Sequence, residues 1–214
     1  MCGRFEVFKY DEVVAIAAAV EGRAAVPLIS VGSEPRAHVR PGGSVLLFGR
    51  NAELDELEID QAIWGFEPDY AKRTVFNTRI ESALAGSAMW KGPIQDGRCI
   101  IPAAAFYEPH ATETVRSPKT GRLMKRQYRF ASPDDEPLLL AGVQQDGRCS
   151  IVTCEPNQWV SPVHDRMPLV LRFEEVVTWL SPDWPALADR SRVQLAVQPE
   201  AVDSGDAADQ LSLF

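Results

Sequence analysis

The sequence predicts an α+β protein, a single domain built on a largely antiparallel, barrel-like sheet with peripheral helices. Three observations carry this. Short apolar runs bounded by Gly, Pro and Asp recur along the chain, as strands do. Helical periodicity is confined to three short stretches. A length of 214 residues, 45% of them apolar, suits one domain with a full core.

Residues 5–8 read as a short strand. Asp11 caps a helix reaching about Val20, apolar at Val13, Val14, Ile16, Ala17 and Val20, and ended by Gly22. The stretch 27–44 is loop-like, with Pro27, Pro35, Pro41 and Gly42-Gly43. Val45–Phe48 is a strand, Gly49–Asn51 a turn, and 54–66 a second strand. Residues 67–76, with Pro68 and Tyr70, form a loop, and Glu81 to about Trp90 a helix. Asp96-Gly97 and Asp146-Gly147 are hairpin-turn signals, each followed by an apolar strand. They sit in identical pentapeptides, QDGRC at 95–99 and 145–149, which read as one turn solution used twice. Strands are expected at 98–101, 104–108, 124–130, 138–144 and 149–154. Arg172–Leu180 is a helix stopped by Ser181-Pro182, and 192–198 is the last strand. Residues 1–198 form the domain; 199–214 read as a flexible acidic tail.

The net charge of −8 argues against holding nucleic acid by bulk attraction. The distribution is uneven. Residues 53–60 hold five acids, whereas 116–129 hold six basic residues and no acid. That basic stretch is either a solvated hairpin face or a surface that tracks phosphates. Cys2, Cys99, Cys149 and Cys154 form no C-x-x-C pair, so neither a metal site nor a disulfide scaffold is expected, and a reducing cytosol fits. The start lacks the basic flank and apolar run of a secretory signal, and no run is long enough for a membrane span.

The chemistry begins at Met1-Cys2-Gly3-Arg4-Phe5. Removal of Met1 leaves a terminal cysteine with two nucleophiles on adjacent carbons. Its amine titrates near about 7.7–8.0 and its thiol near about 8.5. An amine and a thiol so placed convert an aldehyde first to an imine, then to a thiazolidine. Other stretches carry polar side chains of the right kinds: Asn77, Arg79 and Glu81 in FNTRIE, Glu108 closing an apolar strand, His164 in VHDRMP, and the aromatic turn IWGFEP from Ile63. Singly, each has a structural explanation: a turn, a surface charge, a loop cap.

Together and in order they resemble the SRAP family (SOS-response-associated peptidase), whose members carry M-C-G-R-[FY], N-x-R-x-E, R-C-[IL]-[IV]-P ending in an aromatic-Glu pair, and H-x-R-M-P. The resemblance runs from Met1 to about Val170. It implies sensing of abasic sites in single-stranded DNA, a thiazolidine crosslink through Cys2, removal of the protein's own Met1, and strand cleavage at the lesion. Cys2, Asn77, Glu108 and His164 would be catalytic. His164 suits protonation of the sugar ring oxygen, Glu108 proton relay, and Asn77 fixing of the amine or sugar oxygen. Arg4, Arg79 and Arg166 suit phosphates, while Pro41 and Tyr70 fall where the family places a strand-splaying wedge. Three positions depart from the pattern: Pro109 replaces a Trp after the Glu, His38 an Asn before the wedge proline, and Ala71 follows Tyr70 where Trp is usual. No cofactor is implied.

The chain closes on Gln210-Leu-Ser-Leu-Phe214, which resembles the bacterial sliding-clamp-binding pentapeptide. A tethered motif of this kind would present Leu211, Leu213 and Phe214 to an apolar pocket, with Gln210 setting register. The expected protein is a cytoplasmic, nucleoid-associated monomer. Two alternatives stand beside this reading: an N-terminal-nucleophile hydrolase of the glutamine amidotransferase type, which also begins M-C-G, and a non-catalytic DNA or clamp adaptor.

Overall fold

The computed structural model describes residues 2–28, 36–51, 56–68 and 73–202. Tyr70, Ala71 and the segment Gln210–Phe214 lie outside them. The fold is mixed α+β, as the strand-rich pattern predicts.

Two sheets share the core. The first, five-stranded, has the order β13-β8-β7-β1-β2, from Ala196–Pro199 (β13), Leu123–Ala131 (β8), Ala105–Arg116 (β7), Arg4–Glu6 (β1) and His38–Val39 (β2). All its pairings are antiparallel. The second holds eight strands: Ser44–Asn51 (β3), Glu56–Trp64 (β4), Asn77–Arg79 (β5), Arg98–Ala103 (β6), Leu138–Gln145 (β9), Arg148–Cys154 (β10), Met167–Pro168 (β11) and Val170–Leu171 (β12). Because β10 pairs both β4 and β9, the path β10-β4-β3-β6-β9 closes on itself as a ring. Two pairings, β10 with β4 and with β5, are parallel. Helices Tyr10–Val20 (α1), Ile80–Leu84 (α2), Ala88–Asp96 (α3) and Val176–Leu180 (α4) flank the sheets. Among the described residues no helix is long and apolar enough to cross a membrane.

Side-chain alternation explains the first sheet. Phe5, Phe106 and Phe130 stand in register across β1, β7 and β8, and all three are fully buried. The rings of Phe106 and Phe130 stack with centroids 4.9 Å apart. One residue on, Arg4, Tyr107 and Arg129 form the matching row on the opposite face.

The structure revises several elements. Asp146-Gly147 is a tight hairpin turn, with Gln145 opposite Arg148. Asp96-Gly97 is not: it ends α3, and a Cβ on Gly97 would lie 1.9 Å from the Gln144 carbonyl oxygen, so glycine there serves close approach to β9. Gly49 likewise lies within β3, where a Cβ would come within 3.3 Å of Arg98 O; the expected turn at 49–51 is strand. The helix expected from Glu81 to Trp90 is two helices, the first ending where Ala85 N bonds Glu81 O. Helix α1 starts at Tyr10, because the Glu12 carboxylate accepts the Lys9 amide at 2.7 Å and fixes the end ahead of Asp11. The loop expected at 27–44 contains β2, and the strand expected at 104–108 runs on to Arg116.

Candidate active site

Glu108 shares its face of β7 with Phe106 and so points into the core. It is completely buried. Loss of hydration pushes its pKa up to about 7; the positive chain terminus opposes this and Asp165 adds to it.

His164 arrives from the loop after β10. Asn157 shapes that loop: its amide donates to Val193 O at 2.7 Å and its oxygen accepts Trp159 N at 3.1 Å. Ala111 N, just past Glu108, donates to Val163 O at 2.8 Å and ties β7 to the histidine segment. His164 Nε2 lies 3.8 Å from Glu108 Oε2. His164 Nδ1 lies 3.0 Å from Arg166 N, 3.2 Å from Arg166 O and 3.0 Å from Asp165 Oδ1, so these groups fix the ring with Nε2 toward the carboxylate. Burial, then the terminal charge, lower the His164 pKa, while Asp165 partly offsets them.

Cys2 is fully buried, close enough to the same carboxylate to feel its charge. Burial first, then the charge of Glu108, push its thiol pKa up, so the sulfur is a protonated thiol at neutral pH. Asn77 donates its amide to Cys2 O at 2.9 Å, and its Oδ1 is buried with no hydrogen-bond partner among the described residues. Strand β5 holds Asn77 by lying parallel to β10, with Asn77 opposite Ile151. The aromatic turn braces it: Trp64 Nε1 donates to Phe76 O at 2.8 Å, and the Trp64 ring packs edge-on against Phe5 and Phe76.

The expected phosphate-binding arginines are differently placed. Arg166 forms a two-pronged pair with Glu81, at 2.8 and 2.9 Å, and bonds Thr153 O, so it braces the His164 loop against α2. Arg4 lies over the Tyr107 ring at 3.8 Å and is paired with Glu200 at 2.8 and 2.6 Å. Arg79 is exposed at the end of β5, and Pro41 is half-buried in the turn before β3. The structure therefore gathers Cys2, Asn77, Glu108 and His164 into one cluster, with Arg4 and Arg166 held in ion pairs at its margins.

Sequence reasoning missed the row behind Arg4. Tyr107 donates its hydroxyl to Glu6 at 2.5 Å, and Arg129 pairs with the same carboxylate at 2.8 Å, which lowers the Glu6 pKa against the cost of burial. The alternation Arg4-Phe5-Glu6 in a short strand was the available signal, since it puts both charges on one face. A cavity of about 440 Å³ beside Leu138, Phe173 and Val193 shares no residue with the cluster, so side-chain chemistry and not volume selects this site. Among the described residues no group of three or more His, Cys, Asp or Glu could hold a metal ion.

Fold and cluster together define an α+β protein in which a buried cysteine at position 2 lies with a buried carboxylate–imidazole pair. The profile of the SOS response associated peptidase (SRAP) family matches residues 1–204, and the chain belongs to that family. It is 29% identical over 232 residues to the abasic site processing protein YoqW of Bacillus subtilis (strain 168), covering 100% of this chain and 93% of the relative. It is 30% identical over 195 residues to the abasic site processing protein YedK of Escherichia coli (strain K12), covering 84% and 79%. In fold it resembles a phage-related protein from Bordetella bronchiseptica, with a TM-score of 0.68 at 22% identity over 93% of this chain and 94% of that one. A Bacteroides thetaiotaomicron protein gives 0.62 at 19%, covering 92% and 91%.

Proposed function

We propose that this protein senses abasic sites in single-stranded DNA and traps them as a thiazolidine on Cys2. The observation that carries the proposal is the fully buried Glu108, its pKa pushed up to about 7 by burial, with His164 Nε2 at 3.8 Å and its charge acting on the buried Cys2 thiol. A carboxyl poised at neutral pH can both give and take a proton in one turnover.

Met1 leaves first, by hydrolysis of its peptide bond: water adds to the Met1 carbonyl and the Cys2 amine departs with a proton. His164 in its imidazolium form donates to the ring oxygen of the closed sugar while the Glu108 carboxylate takes the proton of the anomeric hydroxyl, which opens the ring to the aldehyde and leaves the histidine neutral and Glu108 protonated. The Cys2 amine adds to C1′. Protonated Glu108 then supplies the proton with which the carbinolamine hydroxyl leaves as water, giving a protonated imine. The thiol adds to the imine carbon while the Glu108 carboxylate takes its proton, which leaves the ring nitrogen neutral and Glu108 protonated again. Aldehyde and amino-thiol become thiazolidine plus one water. A burial-raised thiol needs such a base, because it does not ionise by itself. Asn77 fixes Cys2 through its carbonyl, and its unpartnered Oδ1 is available to accept from the freed amine. From the imine, loss of a C2′ proton with departure of the 3′-phosphate cleaves the strand, which is the lyase branch.

Arg4, Arg79 and Arg166 would meet flanking phosphates, with Pro41 and Tyr70 separating bases. No cofactor takes part. The protein would act as a cytoplasmic monomer near the nucleoid, its terminal pentapeptide engaging the sliding clamp. The test is incubation with an abasic oligonucleotide and, separately, with glutamine. A band resistant to denaturation, lost in Cys2→Ala, supports the proposal. Released ammonia instead supports an amidohydrolase, and salt-sensitive binding with no covalent band supports an adaptor.

A further inference from the structure

We propose that the distal half of the β7–β8 hairpin is a docking arm for the sugar–phosphate backbone of DNA flanking the lesion, an inference that rests on the function proposed above. Near the site the hairpin is part of the sheet: β1 covers Ala105–Tyr107 of β7, and β13 covers Tyr128–Ala131 of β8. Beyond Pro109 the register shifts, and the pairs Thr114–Lys125, Val115–Met124 and Arg116–Leu123 continue as a two-stranded ribbon. Such a ribbon has little core to build, so packing does not dictate its composition.

That composition is strongly cationic. Arg116, Lys119, Arg122, Lys125 and Arg126 face a single acid, Glu113, giving the arm net +4 in a chain of net −8. Glu113 is itself engaged by the Tyr128 hydroxyl at 2.8 Å. At the cluster, Arg4 and Arg166 have carboxylate partners, as does Arg129 at the base of the arm. Among the described residues none of the five arm cations has one; Arg116 and Lys125 bond only the backbone carbonyls of Gly121 and Ala111. A positive arm on a negative body attracts a polyanion at one place only.

Its root fixes the direction. Glu108, opposite Tyr128, belongs to the catalytic cluster, so the arm leads away from the reacting sugar. The paired strand covers the same stretch in five residues, Tyr128 to Leu123, because β7 bulges after Pro109; at about 3.3 Å each they span roughly 17 Å, or about five phosphates at the duplex spacing. A DNA chain held at the site can thus continue along it.

The test uses full-length protein and unmodified oligonucleotides of about 6 and about 30 nucleotides, single-stranded or with a flanking duplex, titrated across salt. Wild type should bind the long DNA more tightly. The combined variant Lys119→Ala, Arg122→Ala, Lys125→Ala should lose that gain. The slope of log affinity against log salt should fall by about 2 if single strand is tracked, or by nearly 3 if duplex is. Exchange of Lys119 and Lys125 to Arg should keep the gain. Crosslinking of a short abasic oligonucleotide at saturation should be unchanged in the triple variant, which shows that its fold and chemistry are intact. Equal length dependence and equal salt slope in wild type and triple variant overturn the proposal, as would follow if the arm holds an acidic polypeptide. Absence of any crosslink in wild type would defeat the lesion-trapping reading, while the binding data would still decide the arm.

Discussion

His164 Nε2 faces Glu108 Oε2 at 3.8 Å, one group on a loop and the other on the core side of a strand. The imidazole is pushed toward its neutral form and the carboxyl toward its protonated form, largely by the same burial. The pair can therefore hold protons at neutral pH without holding net charge, which is what acid–base chemistry on a closed sugar requires.

That arrangement should be visible in stability. Unfolded, a glutamic acid releases its proton near 4.5, whereas folded Glu108 keeps it to about 7. Between those values the folded state binds more protons, so stability falls as pH rises through the window. The cost is absent below about 4.5 and complete above about 7, on the order of 3 kcal/mol from the two values. Glu108→Gln removes it. The melting temperature of the variant should gain on wild type between pH ~5 and ~8; a pH-independent difference would contradict the burial argument.

Kinetics should show the same group. Glu108→Gln and His164→Ala should each slow adduct formation at saturating DNA by at least about 10-fold. Wild type should show an inflection near pH ~7 that is missing from Glu108→Gln. Asn77→Ala should slow the step and leave affinity for undamaged DNA unchanged, because the residue holds Cys2 rather than nucleic acid. Unchanged rates would remove these residues from the mechanism.

Arg4 is occupied by Glu200, whose amide is fixed on Gln127 O at 2.8 Å. A phosphate reaching Arg4 must displace that carboxylate. The pair is partly exposed, at 15% and 32%, so the competition is worth at most about 1 kcal/mol. Glu200→Ala should therefore tighten DNA binding at low salt by up to about 5-fold in a fluorescence titration. Weaker binding would mean that Glu200 positions Arg4 for DNA instead.

Deleting Gln210–Phe214 should spare crosslinking in vitro and abolish retention on a column of sliding clamp. Equal retention would refute the role proposed for the pentapeptide.

Much of this was legible in the chain. Cys2, Asn77, Glu108 and His164 could be named because their stretches, taken together and in order, resemble the motifs of one family; the structure brings the four side chains near one another. Strands Arg98–Ala103, Leu138–Gln145 and Arg148–Cys154 announced themselves by apolar runs. What was hidden is pairing across long separations. Nothing local says that Glu200 reaches Arg4, 196 residues away, or that Glu81 and Arg166, from two different motifs, clasp each other. The two QDGRC segments show the same limit. One sequence ends a helix and turns a hairpin, because β9 crowds Gly97 while Gly147 turns in the open.

The most direct test is the intact mass of the protein after incubation with an abasic oligonucleotide. The account predicts a species equal to the chain without Met1 plus the oligonucleotide, less one water, with the linkage mapped to Cys2. Protein that keeps Met1 and gains no mass, or an adduct of full mass in Cys2→Ala, would contradict it.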